Sequence, residues 1–439
     1  MTKVIILGIM RSFWGFYMKN KLTQFLTKKI NKIKRKLSSN KANVIFVCNR
    51  PQVWGSLKTV YEVLNADPDF NVQIVAIPIK KQLPIKGLNH DEYVDDGAYK
   101  FFRNISESTI DGYDEGKKEW LDLESLNPDY LFFQTPYNIT RPSKYNSSKV
   151  SKYSKLCYVH YGILIFKGEV ANSVYPKDFF DDIKFIFAES NFHKKGYLEI
   201  LKSITKTKNP QVVTSGYPRF DELEKYKNCE SSIWKFQRNN NKFRMIWAPR
   251  WCVSENNCHF FDYKDDLLNY VNDNQDIELV FRPHPQAFLE YMATGQMDES
   301  DVEKCINSFN SKNISIDNQK EYLETFYSSD CLIADITSLL PEYLLTGKPI
   351  IYCHKTDHFN EFGKILSAGF YWVRNWQELI KTIEMLKSGS DPLKGKRQEI
   401  IDQEFYFQQG GSGNCIQEYL KRDFKKNNKF LSFIKGVKH

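Results

Sequence analysis

Short apolar runs that alternate with helical periodicity set the tightest limit on this chain. Asn43-Val44-Ile45-Phe46-Val47-Cys48 has the character of a buried strand. Leu57, Val60, Tyr61, Val63 and Leu64 then recur at helical spacing, and residues 72–77 are strand-like again. Strand, helix and strand at this spacing predict a parallel sheet, because a parallel return needs a long crossover. The same grammar continues through Asp129–Gln134, Lys155–Val159, Lys184–Ala188, a helix over Phe192–Ile204, and Val212–Thr214. It resumes with Phe243–Trp247, Ile277–Phe281, Cys331–Ala334, Ile350–Tyr352 and a helix over Trp376–Leu386. At 439 residues the chain exceeds one such domain, so an α/β fold of two Rossmann-like halves facing a central cleft is expected. The expected bounds are 41–230 and 240–400, with the charged stretch Lys225–Lys242 as linker. Residues 401–439 are read as helices crossing back, broken at Gly410-Gly411-Ser412-Gly413, followed by a basic tail. No G-x-G-x-x-G follows the first strand, so a dinucleotide site is not supported.

Charge is concentrated at the N-terminus. Residues 1–40 hold ten Lys and Arg and no acid, so the formal +9 of the chain leaves −1 for residues 41–439. A near-neutral body gives no argument for nucleic-acid binding. The apolar stretch Val4–Phe16 is too short to span a bilayer, which needs about 20 residues. Leu22, Phe25, Leu26, Ile30 and Ile33 then alternate with Lys28, Lys29, Lys32 and Lys36, the pattern of a basic amphipathic helix. Residues 1–40 are therefore read as an arm lying on an anionic membrane surface; a signal peptide and a helix with a solvated basic face are the alternatives. The tail after Lys421 interleaves Lys and Arg with Phe424, Phe430, Leu431, Phe433 and Ile434, and either touches the same membrane or is a solvated terminus. Nine scattered Cys without a C-x-x-C pair suit a reducing compartment. Cys252, Cys258 and His259 cluster, but their spacing matches no standard zinc site.

In open α/β sheets, ligands bind beyond the carboxyl ends of the strands. Polar residues placed there are therefore candidates. Arg282-Pro283-His284-Pro285 follows the strand at Ile277–Phe281 and offers a permanent cation and an imidazole held between prolines. A proline-rich surface turn is the plain alternative. His160-Tyr161-Gly162 follows the strand at Lys155–Val159, and His160 is a candidate general base or else a structural histidine. Arg250 follows Phe243–Trp247. In Asp335-Ile336-Thr337-Ser338, Thr337 or Ser338 is expected at a helix N-cap, where free N–H groups suit phosphate, with Glu342 one turn on and able to reach a ribose hydroxyl. Plain capping is the alternative.

Taken in order, His160-Tyr161-Gly162, Gly216-Tyr217-Pro218-Arg219-Phe220-Asp221, Ala248-Pro249-Arg250-Trp251, Arg282-Pro283-His284-Pro285 and Asp335-Ile336-Thr337-Ser338 with Glu342 resemble the CDP-glycerol glycerophosphotransferase family over about residues 155–415. The resemblance departs in two places: the family's His-Gly pair is His160-Tyr161-Gly162 here, and Glu342 stands where an Asp is usual. It implies a GT-B fold, a CDP-linked polyol donor and a peripheral, monotopic attachment to the cytoplasmic face of the cell membrane. The expected reaction transfers glycerol or ribitol phosphate to a hydroxyl of a lipid-linked glycan or polymer, with release of CMP, in teichoic-acid-like or capsule polymer synthesis. His160, His284 and Arg282 are the expected catalytic residues; Arg250, Asp335, Thr337, Ser338, Glu342 and Arg219 are expected to bind the donor. No cofactor is required by these motifs, and a divalent metal is left open. A sugar-transferring GT-B enzyme and an isomerase like the UDP-sugar 2-epimerases are the rival readings, with a non-catalytic membrane-bound scaffold for polymer assembly as a third.

Overall fold

Residues 41–80, 93–95, 97–167, 175–204, 210–319, 321–405 and 410–436 are described by the computed structural model, the last helix with side chains as far as Lys426. The basic arm of residues 1–40 and the tail side chains beyond 426 lie outside the described residues. The first sheet has seven parallel strands: β1 (Ala42–Cys48), β2 (Phe70–Ala76), β3 (Ile110–Asp111), β4 (Tyr130–Phe133), β5 (Lys155–Val159), β6 (Phe185–Ala188) and β7 (Gln211–Thr214). Their order is β7-β6-β5-β4-β1-β2-β3. The second sheet has six: β8 (Phe243–Ala248), β9 (Ile277–Phe281), β10 (Ile314–Ile316), β11 (Cys331–Ala334), β12 (Ile350–Cys353) and β13 (Tyr371–Val373), in the order β10-β9-β8-β11-β12-β13 and again all parallel.

The unbroken apolar runs follow from burial on both faces. Along β1, Val44, Phe46 and Cys48 enter one layer while Ile45 and Val47 enter the other. Each sheet reverses its winding at one place, between β1 and β4 in the first and between β8 and β11 in the second. Val47 lies opposite both Val75 and Phe133, and Trp247 opposite both Phe281 and Ile333. The central strands of each sheet therefore end level, and the residues that follow them meet at one edge. This is where ligands bind in such sheets.

The helices that matter for the cleft are α1 (Lys58–Ala66), α2 (Asn191–Ile204), α3 (Phe260–Asp273), α4 (Leu339–Leu344), α5 (Trp376–Lys387), α6 (Lys394–Glu404) and α7 (Ser412–Gly436). Of the helices expected over 401–439, the first is the end of α6, which stops at Glu404, and the second is α7. Gly410 and Gly411, at φ +79° and +93°, keep the chain out of helical geometry between them. Asp221 then caps α7, accepting Ser412 N–H at 2.7 Å and Gly413 N–H at 2.9 Å. Ile416 and Leu420 of α7 are fully buried in the first domain's core, and Asp423 accepts from Tyr130 and Lys155.

One core runs between the two sheets. Ile163, Ile165 and Phe166, from the loop after β5, pack with Leu340, Tyr343, Phe359 and Phe362 of the second domain. Asn360 N–H donates to the Ile165 carbonyl at 2.9 Å, and Lys167 N–H to that of His358 at 2.8 Å. A Cβ on Gly363 would stand 2.2 Å from the Ile165 carbonyl oxygen, so only glycine admits this loop. The charged stretch 225–242, which lies between the two sheets in sequence, is docked against the second domain. Trp234 is buried and donates its indole N–H to Ser328 Oγ at 2.8 Å, and Arg238 pairs with Asp330. Burial of one large aromatic side chain is enough to dock a polar segment. Among the described residues no helix is long and apolar enough to cross a membrane.

Candidate active site

The second-domain wall is a set of cations with acid partners. Arg282 follows β9 and donates its backbone N–H to the Trp247 carbonyl at 2.8 Å. Its guanidinium pairs with buried Asp317 at 2.6 Å, donates to the Gln319 carbonyl at 3.0 Å and lies over the Tyr322 ring. Arg250 follows β8 and grips both oxygens of Glu255 at 2.8 Å. Asp335, at the end of β11, is buried beneath this loop. Its carboxylate accepts the backbone N–H groups of Arg250 and of His259. Both oxygens are thereby spent on holding the turn, so Asp335 positions Arg250 rather than meeting a donor.

His284 stacks on Trp251, with centroids 5.4 Å apart at 23°. Its Nδ1 accepts the Gln286 N–H at 3.2 Å, so the proton of the neutral ring sits on Nε2 and faces outward. The residue is exposed to solvent. Protein around the ring, then Arg250, then Arg50 push its pKa down to about 4, and the imidazole is neutral at pH 7.

Thr337 and Ser338 precede α4. Ser338 occupies the N-cap position but makes no capping bond; its hydroxyl is exposed, and Thr337 Oγ1 accepts Leu339 N–H at 3.3 Å. The walls touch at this point, since a Cβ on Gly162 would come 3.6 Å from Ser338 Cβ. Arg219 and Glu342, both expected to bind the donor, are instead buried against each other. Arg219 Nε donates to Glu342 at 3.0 Å, its Nη2 to Glu321 at 2.8 Å, and Tyr322 O–H donates to Glu342 at 2.7 Å. Opposite charges that leave water together must pair, and this pair ties the first domain to the second. A Cβ on Gly55 would lie 1.8 Å from Arg219 Nη1, so the absence of a side chain there makes room for the guanidinium.

The first-domain wall is buried and sparsely paired. His160 ends β5 at 4% exposure. Its Nδ1 is in close contact with the Gly162 carbonyl oxygen. The Gly162 N–H reaches the same Nδ1 at 3.1 Å, so these contacts fix the proton neither on Nδ1 nor on Nε2. That Nε2 is buried without a hydrogen-bond partner. Burial holds the pKa of His160 at about 4, opposed by the Gly162 bond. Beside it, Glu189 follows β6 and His193 lies in α2, each with an unpartnered buried atom, Oε2 and Nε2. Burial lifts the Glu189 carboxyl to about 8, against its backbone bond and Tyr197, so it is neutral at pH 7. Burial, then His160, lower His193 to about 4, and the Leu164 carbonyl nearby opposes this. Tyr158, Tyr161 and Tyr175 surround the His160 ring, with Tyr161 stacked on it at 5.0 Å. Perturbed, unpartnered groups of this kind gather at functional sites.

The fold thus sets Gly162, two residues after His160, against Ser338, places Arg250 and His284 beyond the ends of neighbouring strands β8 and β9, and buries Arg219 against Glu342. Glu189, His193 and Arg50 were not among the sequence candidates. The signal that singled out His160 applies to two of them: Glu189 directly follows β6, and Arg50 stands two residues after β1. Among the described residues no three His, Cys, Asp or Glu side chains converge as metal ligands. Cys258 Sγ donates to the Arg250 carbonyl at 2.8 Å, and His259 serves Asp335.

Residues 181–421 match the family of CDP-glycerol:poly(glycerophosphate) glycerophosphotransferases. The chain belongs to this family. It is 24% identical over 249 residues to a teichoic acid poly(glycerol phosphate) polymerase of Staphylococcus epidermidis, covering 52% of this chain and 32% of that protein. The chain thus spans about a third of the length of that relative. Among solved structures it is similar to a variant of the wall teichoic acid polymerase TagF, with a TM-score of 0.53, 13% identity and coverage of 89% of this chain and 90% of that one. It is as similar to UDP-GlcNAc 2-epimerase of Neisseria meningitidis bound to UDP-GlcNAc, at 0.53 and 15% identity, over 87% of this chain and all of that one. Likeness at this level establishes the shared two-domain GT-B architecture and does not separate transferase from epimerase. The family match, which covers β6 to α7, is what separates them.

Proposed function

We propose that this chain transfers glycerol phosphate, or a related polyol phosphate, from a CDP-linked donor to a hydroxyl of a polymer acceptor, releasing CMP. The reading is supported above all by one coincidence within a family of this activity. A buried imidazole whose Nε2 has no partner stands on one wall of the cleft, and an imidazole whose Nδ1 accepts a backbone N–H, beside paired arginines, stands on the other. Phosphoryl transfer needs alignment and charge neutralisation more than covalent chemistry. The acceptor hydroxyl gives its proton to His160 Nε2 as its oxygen attacks the polyol-bearing phosphorus. The bond from that phosphorus to the bridging oxygen breaks, and CMP leaves with the electron pair. His284 Nε2–H donates to the leaving phosphate, and Arg250 with the Ser338 and Thr337 hydroxyls holds the donor phosphates. Arg282 acts through Asp317 and Tyr322 to stiffen the loop that carries His284.

The acceptor is read as a lipid-linked glycan in teichoic-acid-like polymer synthesis, reached at the cytoplasmic membrane face through the basic N-terminal arm. The deciding experiment measures CMP release from CDP-glycerol and CDP-ribitol, and nucleotide release from UDP-GlcNAc, with and without lipid-linked glycan. Acceptor-dependent CMP release from a CDP-polyol supports this reading. Turnover of UDP-GlcNAc alone, without an acceptor, replaces it with the epimerase reading.

A further inference from the structure

Apart from Arg219, which is cancelled by Glu342, the site described so far draws its cations from the second domain. The first domain supplies one of its own. Arg50 lies just beyond β1 at the first sheet's switch point. Gln134, at the end of β4, fixes its backbone: Gln134 Oε1 accepts Asn49 N–H at 2.7 Å and Arg50 N–H at 2.8 Å, and Gln134 Nε2 donates to the Arg50 carbonyl at 3.0 Å. Tyr137 comes three residues after Gln134, its O–H and that of Tyr161 are joined at 2.8 Å, and the charge of half-buried Arg50 is felt by both phenols. It is also felt by His284 across the cleft.

The other cleft arginines are neutralised: Arg250 by Glu255, Arg282 by Asp317, Arg219 by Glu321 and Glu342. Among the described residues no carboxylate pairs with Arg50. A half-buried arginine without a counter-ion, its backbone fixed by two hydrogen bonds to Gln134, is suited to receive an anion. One phenol donates to the other, so the pair beside it keeps one free O–H, and Tyr161, stacked on His160, puts this receptor next to that imidazole.

We propose that Arg50, with the hydroxyls of Tyr137 and Tyr161, forms a phosphate-binding subsite on the first-domain wall, between His160 and His284. It deepens the phosphoryl-transfer reading and rests on it for the source of the anion, which is either the donor diphosphate or a phosphate of the acceptor polymer. The placement suits a group that must hold charge on the path between the attacking hydroxyl and the leaving phosphate. It also gives the inserted Tyr161 a task, since its hydroxyl completes the pair.

The test is titration calorimetry of the full chain with inorganic pyrophosphate. Arg50→Ala is expected to weaken binding at least tenfold, Arg50→Lys to restore part of it, and Tyr161→Phe to weaken it a few-fold. The Arg50 side chain makes no hydrogen bond within the fold, so circular dichroism should stay unchanged. No measurable binding by the wild type, or equal affinity in Arg50→Ala, overturns the subsite. Steady-state kinetics then assign the anion. A raised KM for CDP-glycerol in Arg50→Ala points to the donor, and a raised KM for the acceptor alone points to the acceptor; either supports the subsite. Arg50-dependent pyrophosphate binding in a chain that releases no CMP from any CDP-polyol would sink the transferase reading and leave the subsite standing.

Discussion

At the first sheet's switch point the amide of Gln134 holds the backbone of Asn49 and Arg50; at the second's the carboxylate of Asp335 holds that of Arg250 and His259. In both sheets a side chain from the neighbouring strand's end clamps a turn that carries an arginine. The difference lies in what surrounds that arginine. Arg250 and Arg282 each have a carboxylate, so the second wall is close to neutral and stable before any ligand arrives. The first wall leaves His160 Nε2, Glu189 Oε2 and His193 Nε2 buried without partners, and Arg50 without an acid. Unpartnered buried groups cost stability and are poised for chemistry. In the proposed reaction the first wall handles the proton and the second holds the donor.

The largest expected effect breaks the first wall. His160→Ala should lower kcat for CMP release by about a thousandfold, the range for loss of a general base, with the circular dichroism spectrum intact. A wild-type rate would remove proton handling from this wall. On the second wall, His284→Ala should lower kcat by roughly a hundredfold, as expected for one lost donor to a developing charge. Equal losses from both substitutions in kcat and in pH dependence would erase the distinction.

Next come two stability measurements. Arg219→Ala leaves Glu342 buried beneath the cleft without its cation and should destabilise the fold by about 3 kcal/mol in urea titration. A change under about 0.5 kcal/mol would mean that the walls are not tied together there. Glu189 keeps its proton up to about pH 8 in the folded chain but loses it near 4.5 when unfolded. Its contribution to stability is therefore full below pH 4.5 and is lost as pH rises toward 8. Glu189→Gln removes that loss, so melting at pH 8 should show a gain on the order of 2 kcal/mol, with none near pH 4. A gain of the same size at both values would tie the effect to packing.

The smallest expected effect is a flat line. Ordinary imidazoles titrate near 6.5, but His160 and His284 are both held at about 4. A base that is already neutral gains nothing from further rise in pH, so kcat/KM should stay level between pH 6 and 8 and fall only near pH 4 to 5. An acid limb at 6.5 would mean that one of these rings is more exposed in the working enzyme.

The strand ends were legible because parallel strands buried on both faces leave a plain pattern, and His160, Arg250 and Arg282-Pro283-His284 each follow such a run. Glu189-Ser190 and Arg50-Pro51 obey the same rule, yet no residue type beside them marked them out. What was not legible was pairing. Glu342 stands in the motif as a group free to meet a ribose, and Arg219 as one free to meet phosphate. Nothing local says that these residues, 123 apart, meet each other. Nor does Asp335 announce that both its oxygens are used on backbone.

By itself the sequence determined ten of the thirteen strands in the two parallel sheets to within a residue or two, and which polar residue follows them, because those depend on local apolar runs and on proline and glycine; the short edge strands β3, β10 and β13 carry no such run. It also carried the motifs that resemble the family to which the chain belongs. The tertiary structure alone decided which charges are cancelled and which are left bare. Charge neutralisation depends on distance in space and on the loss of water, and neither is written in the order of residues along the chain.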